Sequence, residues 1–202
     1  MSAAIWGLLW QASCETLYMI GVSGLLACLG GLPLGVVLAV TAPGGLMPRP
    51  WLSQLLGFVV NAARSTPFII LMVAIIPFTR LIVGRSIGTT AAIVPLALAA
   101  LPFMARLVEG ALNEVDDGVV EAAQAMGASP GRIVLKVLFP EAVPALLRGV
   151  TLMLVNLVGY STMAGAVSGG GLEDLATTTV MSRENIRGSS VSNLMNPQAI
   201  WT

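Results

Sequence analysis

Glu121-Ala122-Ala123-Gln124-Ala125-Met126-Gly127, followed nine residues later by Val137-Leu138-Phe139-Pro140, lies in a polar interval, residues 107–148, of an otherwise apolar chain. Val119, Ala123 and Met126 fall at spacings of four and three, one face of a helix. Gly127 is placed to end that helix, where a left-handed residue is needed. Ser129 suits the cap of a second helix and Pro130 its first position. Ile133, Val134, Val137 and Leu138 make a second apolar stripe, with Arg132 and Lys136 on another face. Pro140 is expected to end or kink that helix. The stretch therefore predicts a short helix, a tight turn and another short helix at a membrane surface.

Outward from this element the chain reads as an all-α integral membrane protein. Hydrophobic residues make up 56% and charged residues 10%, far below the roughly 25% charged of a soluble domain. A span needs about 20 mostly apolar residues, and four candidates result: 17–40, 57–80, 86–105 and 149–172. The second is assembled by running a charge-free stretch, 65–79, back through 57–64, which sets Arg64 near the membrane boundary. No segment alternates as a barrel strand would, so helices must satisfy the backbone. With the 107–148 interval inside, Arg49, Arg64, Arg106, Arg132, Lys136 and Arg148 are cytoplasmic and Arg80 and Arg85 outside, as the positive-inside rule requires. The N-terminus then faces out. It lacks a secretory signal's basic flank and cleavage site. Trp6 and Trp10 predict a short helix lying at the interface ahead of the first span, or an extension of that span.

Composition also excludes. Ten basic residues balance ten acidic ones, so no basic field points to nucleic acid. The absence of His removes the commonest general base and metal ligand, and Ser-His proteolysis with it. No Asp lies in a span, which excludes an aspartyl site. Cys14 and Cys28 have no metal-ligand spacing and are expected to pack. The sequence calls for no cofactor.

The Glu121–Pro140 element resembles the EAA loop of ABC-importer permeases, whose pattern is Glu-Ala-Ala, three residues, Gly, nine residues, Ile, one residue, Leu-Pro. Here Val137 and Phe139 replace the Ile and Leu and keep both positions apolar. Arg64-Ser65-Thr66-Pro67-Phe68 resembles a stretch of amino-acid permeases. The stretches 75–84 and 159–167 look like the permease subunit of methionine importers, and the likeness covers residues 15–175. The resemblance implies a permease domain over 1–175, joined with a second permease copy. It further implies two ABC ATPase subunits docked on the loop, and a substrate-binding lipoprotein or periplasmic protein delivering D- or L-methionine. ATP hydrolysis would reside on the partner, and lipid would surround the spans of an inner-membrane protein. The implied coupling residues are Glu121, Ala122, Ala123, Gly127, Val137 and Pro140.

The candidate pathway residues are Asn61, Arg64, Tyr160, Ser161 and Met163. Arg64 is ionisable at or near membrane depth, hence a functional candidate, although a long side chain at a helix end also snorkels to the interface. Asn61, on the same face, is placed to hydrogen-bond another helix. Tyr160, Ser161 and Met163 stand in the last span, either packed between helices or lining a pathway, with Met163 an adaptable apolar gate. Gly159, Ala164, Gly165 and Ala166 permit close helix contact. Gly169-Gly170-Gly171 reads as a break at the outer surface, and lacks the Gly-Lys-Ser/Thr ending of a phosphate loop. Beyond residue 176 the chain is polar and leaves the methionine-permease pattern, which has a fifth span. A frameshift or truncation explains this better than a naturally short variant. The alternatives are then a non-transporting permease fragment or an ATPase-independent secondary transporter.

Overall fold

The computed structural model describes residues 3–84 and 88–166. The 167–202 segment, with the 169–171 glycines and the 176–202 tail, lies outside the described residues. All regular structure among the described residues is helical: α1 (Ala3–Thr41), α2 (Pro50–Ser65), α3 (Phe68–Val83), α4 (Thr89–Asn113), α5 (Asp117–Ala125), α6 (Pro130–Ile133), a π-turn (Val134–Leu138) and α7 (Phe139–Ala166). Three helical stretches are long and apolar enough to cross a membrane, and the bent pair α2–α3 makes a fourth.

The centre of the molecule is the seam between α1 and α4. On α1, Met19, Ser23, Ala27, Gly31, Gly35 and Ala39 recur every fourth residue and all are buried. On α4 the matching row is Ala92, Leu96, Ala100, Met104, Val108 and Leu112, also buried. Rows at four-residue steps form the ridges that interlock when helices pack. The two helices run parallel: Ser23 Oγ donates to the Ile93 carbonyl at 3.3 Å, and twelve residues on Gly35 faces Val108. A Cβ at Gly35 would stand 2.5 Å from both the Ala105 carbonyl oxygen and Val108 Cβ. At Gly31 it would meet Met104 Cβ at 2.7 Å. The backbones can approach this closely only because these positions lack side chains. Helix α7 runs antiparallel to both, with Gly24 of α1 against Leu154 and Leu157 and Arg148 paired to Glu114 at 3.2 Å.

Several expectations change. The N-terminal residues form no separate interfacial helix; they continue into α1, which has 39 residues and a length of about 58 Å. Nothing between Trp10 and Leu17 breaks the helix, because its polar side chains bond along it. Ser13 donates to the Leu9 carbonyl at 2.7 Å, Thr16 to the Ala12 carbonyl at 3.1 Å, and Gln11 to Glu15 at 3.3 Å. Trp6 and Trp10 remain exposed. The 57–80 stretch is not one helix. It is the end of α2 and most of α3, meeting at 105°. The cause is Pro67, which disfavours helix at the preceding residue; Thr66 is extended (φ −78°, ψ 124°).

Pro140 neither ends nor sharply breaks its helix. Without an N–H it leaves the Lys136 carbonyl without its helical donor. The chain responds by widening just before it: the Phe139 N–H bonds the Val134 carbonyl, five residues back. Cys28 packs beside the core, but Cys14 is exposed. Ala164 and Gly165 are buried as close contact requires, whereas Gly159 faces open space.

Gly35→Ala is expected to lower stability by about 1–3 kcal/mol through overpacking. Gly21→Ala, whose Cβ would meet nothing within 4 Å, should leave stability unchanged or raise it by up to about 1 kcal/mol, since alanine favours the helix. Thermal unfolding of the purified protein in detergent distinguishes the two.

Candidate functional site

Two features gather the chemistry: the helix–turn–helix element after α4, and a cleft at the α2–α3 break.

The first begins at Asp116, whose Oδ1 accepts the Gly118 N–H at 2.8 Å and caps α5. The far end of α5 closes on two hydrogen bonds, Gly127 N–H to the Gln124 carbonyl at 2.8 Å and Ala128 N–H to the Ala123 carbonyl at 3.1 Å. Gly127 lies at φ 77°. This pair of bonds around a left-handed residue is the Schellman closure. The Ser129 carbonyl then receives the N–H groups of Arg132 and Ile133 at 2.9 and 3.0 Å, while its hydroxyl makes no capping bond. Pro130 takes the first position of α6.

Ala123 (4% exposed), Ile133 and Leu138 are buried, and Val120, Ala128, Val134 and Val137 pack against them. The proposed face of Val119, Ala123 and Met126 divides: Ala123 turns in, but Val119 and Met126 turn out, Met126 being 80% exposed. The Gly127 turn sets Met126 at the rim rather than on the inner face. Glu121, Ala122, Gly127 and Pro140 are also exposed, and Glu121 makes no ion pair among the described residues. Leu135 is 70% exposed. The outer surface thus mixes Glu121, Arg132 and Lys136 with Met126 and Leu135, while the inner side is fixed to the bundle.

The second feature follows from the bend. Neither α2 nor α3, at 16 residues each or about 24 Å, spans a bilayer core of about 30 Å. Their junction at Thr66 and Pro67 opens a cavity of about 150 Å³ bounded by Arg64, Phe68, Phe103 and Tyr160. It adjoins another of about 340 Å³ that reaches Pro67, Ile69 and Met163. Phe68 and Tyr160 stack with centroids 4.9 Å apart at an interplanar angle of 10°. The Arg64 guanidinium lies 5.6 Å from the Phe103 ring centroid.

Of the five candidate pathway residues, the structure brings Arg64, Tyr160 and Met163 together. Asn61 is exposed off the cleft and its side chain makes no cross-helix bond among the described residues; its carbonyl accepts from Ser65 Oγ at 2.9 Å. Ser161 is buried on the other side of α7, donating to the Val158 carbonyl at 2.9 Å. Phe68 and Phe103 line the cleft unforeseen, since an aromatic in an apolar run reads as core. Arg106 does more than add a positive charge to its end of α4. It ties α4 to α2, donating to the Gly57 carbonyl at 3.1 Å while pairing with Glu109 at 2.6 Å.

Comparison with known proteins identifies the family. Residues 31–191 match the family described as binding-protein-dependent transport system inner membrane component. The chain is 54% identical to the probable D-methionine transport system permease protein MetI of Vibrio cholerae over 188 residues, covering 93% of this chain and 84% of that one. It is 53% identical to the D-methionine transport system permease protein MetI of Escherichia coli K12 over 165 residues, 82% and 76% of the two chains. A solved structure of the MetNI methionine ABC transporter in an inward-facing conformation superposes with a TM-score of 0.86 at 47% identity, covering 96% of this chain and 94% of that one. An amino acid ABC transporter solved with histidines shares the fold alone, with a TM-score of 0.72 at 17% identity and coverage of 95% and 89%.

Gly127→Ala is expected to cost about 1–2 kcal/mol for its left-handed backbone, and Gly127→Asn less. Hydrogen exchange on the purified protein should show the Ala128 amide exchanging about tenfold faster in the alanine variant.

Proposed function

The chain belongs to the family of binding-protein-dependent transport system inner membrane components, and from that membership we propose that it is the membrane-spanning permease subunit of an ATP-driven importer of D- or L-methionine. It is a multi-pass helical protein of the bacterial inner membrane. Hydrolysis of ATP belongs to a separate ATPase subunit; the permease contributes the pathway and the coupling surface. Two permease copies form the pathway, two ATPase subunits sit beneath them, and a binding protein delivers the substrate.

The observation that supports this most strongly is the Gly127 element. A lever must be stiff, and must be attached to what it moves. Asp116 and the Gly127 closure fix both ends of α5, and Ala123, Ile133 and Leu138 anchor the element to the bundle. The element then passes through the π-turn into α7 without a loop. Displacement of the outer surface by an ATPase subunit is therefore transmitted to a spanning helix. Exposed Met126 and Leu135 offer apolar contact within a charged rim, the composition of a docking surface. Glu121, Ala122 and Gly127 border it, while Val137 and Pro140 serve the attachment to α7.

Arg64, Tyr160 and Met163 lie toward the pathway in this proposal. Alternating access would open their cleft to one side of the membrane at a time as the ATPase dimer closes and relaxes.

Expression with a methionine-importer ATPase and binding protein, in cells lacking their own permease, should restore uptake of labelled methionine. Absence of uptake with all three components present at the membrane would overturn the proposal. Gly127→Asp should abolish co-purification of the ATPase, and undiminished co-purification would remove the element from the docking surface.

A further inference from the structure

We infer that the cleft at the α2–α3 break is a binding site within the membrane domain for the substrate itself. Arg64 holds the carboxylate, and the walls formed by Phe68, Phe103, Tyr160 and Met163 hold an uncharged apolar side chain. This rests on the importer function proposed above, and adds a second selection step beyond the binding protein.

Non-helical backbone within a membrane domain persists only where it is covered by protein or lines a cavity; Thr66 and Pro67 line a cavity of about 340 Å³. Many secondary transporters place their substrate sites at discontinuous helices, and the α2–α3 break offers the same geometry. The cation at the rim has no carboxylate partner among the described residues, where the ion pairs are Arg106–Glu109 and Arg148–Glu114. The Arg64 guanidinium is held against the Phe103 ring instead, which leaves its edge donors for a ligand. A guanidinium presents a planar fork that matches a carboxylate through two parallel hydrogen bonds. Beside it, the Phe68–Tyr160 stack forms a flat apolar wall, and the Met163 thioether adapts to an irregular aliphatic chain. The ring faces also accept an ammonium group. Among the described residues no Asp or Glu lines the cleft, so none of them compensates a cationic side chain. The chemistry fits a zwitterionic amino acid with an uncharged, unbranched or aromatic side chain, and disfavours lysine or arginine.

The test uses the permease assembled with its ATPase subunits in lipid nanodiscs, without the binding protein, and tritiated L-methionine as probe. Binding should be saturable. L-Methioninol, in which the carboxylate is replaced by an alcohol, should compete at least about tenfold more weakly than L-methionine, and L-lysine should compete poorly. Arg64→Gln should weaken binding about tenfold or more, and Arg64→Lys less, because the charge remains without the fork. The methioninol comparison uses the unmodified protein, so it holds even if a variant misassembles. The inference is overturned if methioninol competes as well as methionine, or if Arg64→Gln binds like the parent. It is also overturned if no saturable binding is found in a complex that takes up methionine with its binding protein. Proteoliposomes of the same complex that take up no methionine with the binding protein present would instead overturn the importer function itself.

Discussion

In a bilayer, apolar side chains gain nothing by leaving lipid for one another, so spanning helices are held by close fit and by the few polar bonds between them. That constraint is met here by the α1–α4 seam. Gly31 and Gly35 bring the two backbones together where larger residues would clash with Met104, Ala105 and Val108. Ser23 adds a hydrogen bond to the Ile93 carbonyl where it is shielded from water. Every other spanning element among the described residues packs on this pair: α2 and α3 against α4, and α7 against both. The large apolar residues left outside, such as Leu25, Leu29, Phe58 and Leu147, suit lipid or a second subunit and contribute little to the fit of one chain.

The prolines show how one residue type leads to different structures. Pro33, Pro95 and Pro102 sit inside long helices, where tight packing retains the path of the chain. Pro140 is accommodated by the π-turn before it. Pro67 separates two helices, because Thr66 adopts an extended backbone and α3 starts in a new direction. The break then determines where the cleft is, which side chains face it and why neither half-helix crosses alone. Arg106 braces the arrangement from the C-terminal half of α4, reaching across to the Gly57 carbonyl. Helix α2 is thus held near its middle as well as at its junction with α3.

The sequence revealed the number of apolar segments, the turn at Gly127 and the inward placement of Ile133 and Leu138, because hydropathy and backbone stereochemistry are local. It also pointed to Arg64 and Tyr160, polar groups conspicuous among apolar ones. It did not reveal the bend at Pro67, since a count of apolar residues from 57 to 80 is blind to direction; the Thr66-Pro67 pair was the available signal. Nor did it separate Phe68 and Phe103 from ordinary core residues, because their role depends on which helices meet. The outward turn of Met126 escaped the helical-face argument for a related reason. Met126 lies one residue past the end of α5, where the Gly127 closure reverses the chain. Asn61 and Ser161 share composition with the cleft residues but not their azimuth on the helix.

The π-turn at Val134–Leu138 has an evolutionary consequence. A π-turn holds one residue more than the α-helical turn it replaces. Removal of a single residue there would let the flanks join as continuous α-helix without rotating the lever against α7. Elsewhere in α7, one residue gained or lost would turn everything beyond it by about 100°, carrying Tyr160 off the Phe68 ring and Ala164 out of its contact. Homologous chains that differ in length by one residue at this joint can therefore be aligned on either side of it with their faces in phase. An insertion or deletion a few turns later is instead a lesion of the whole helix.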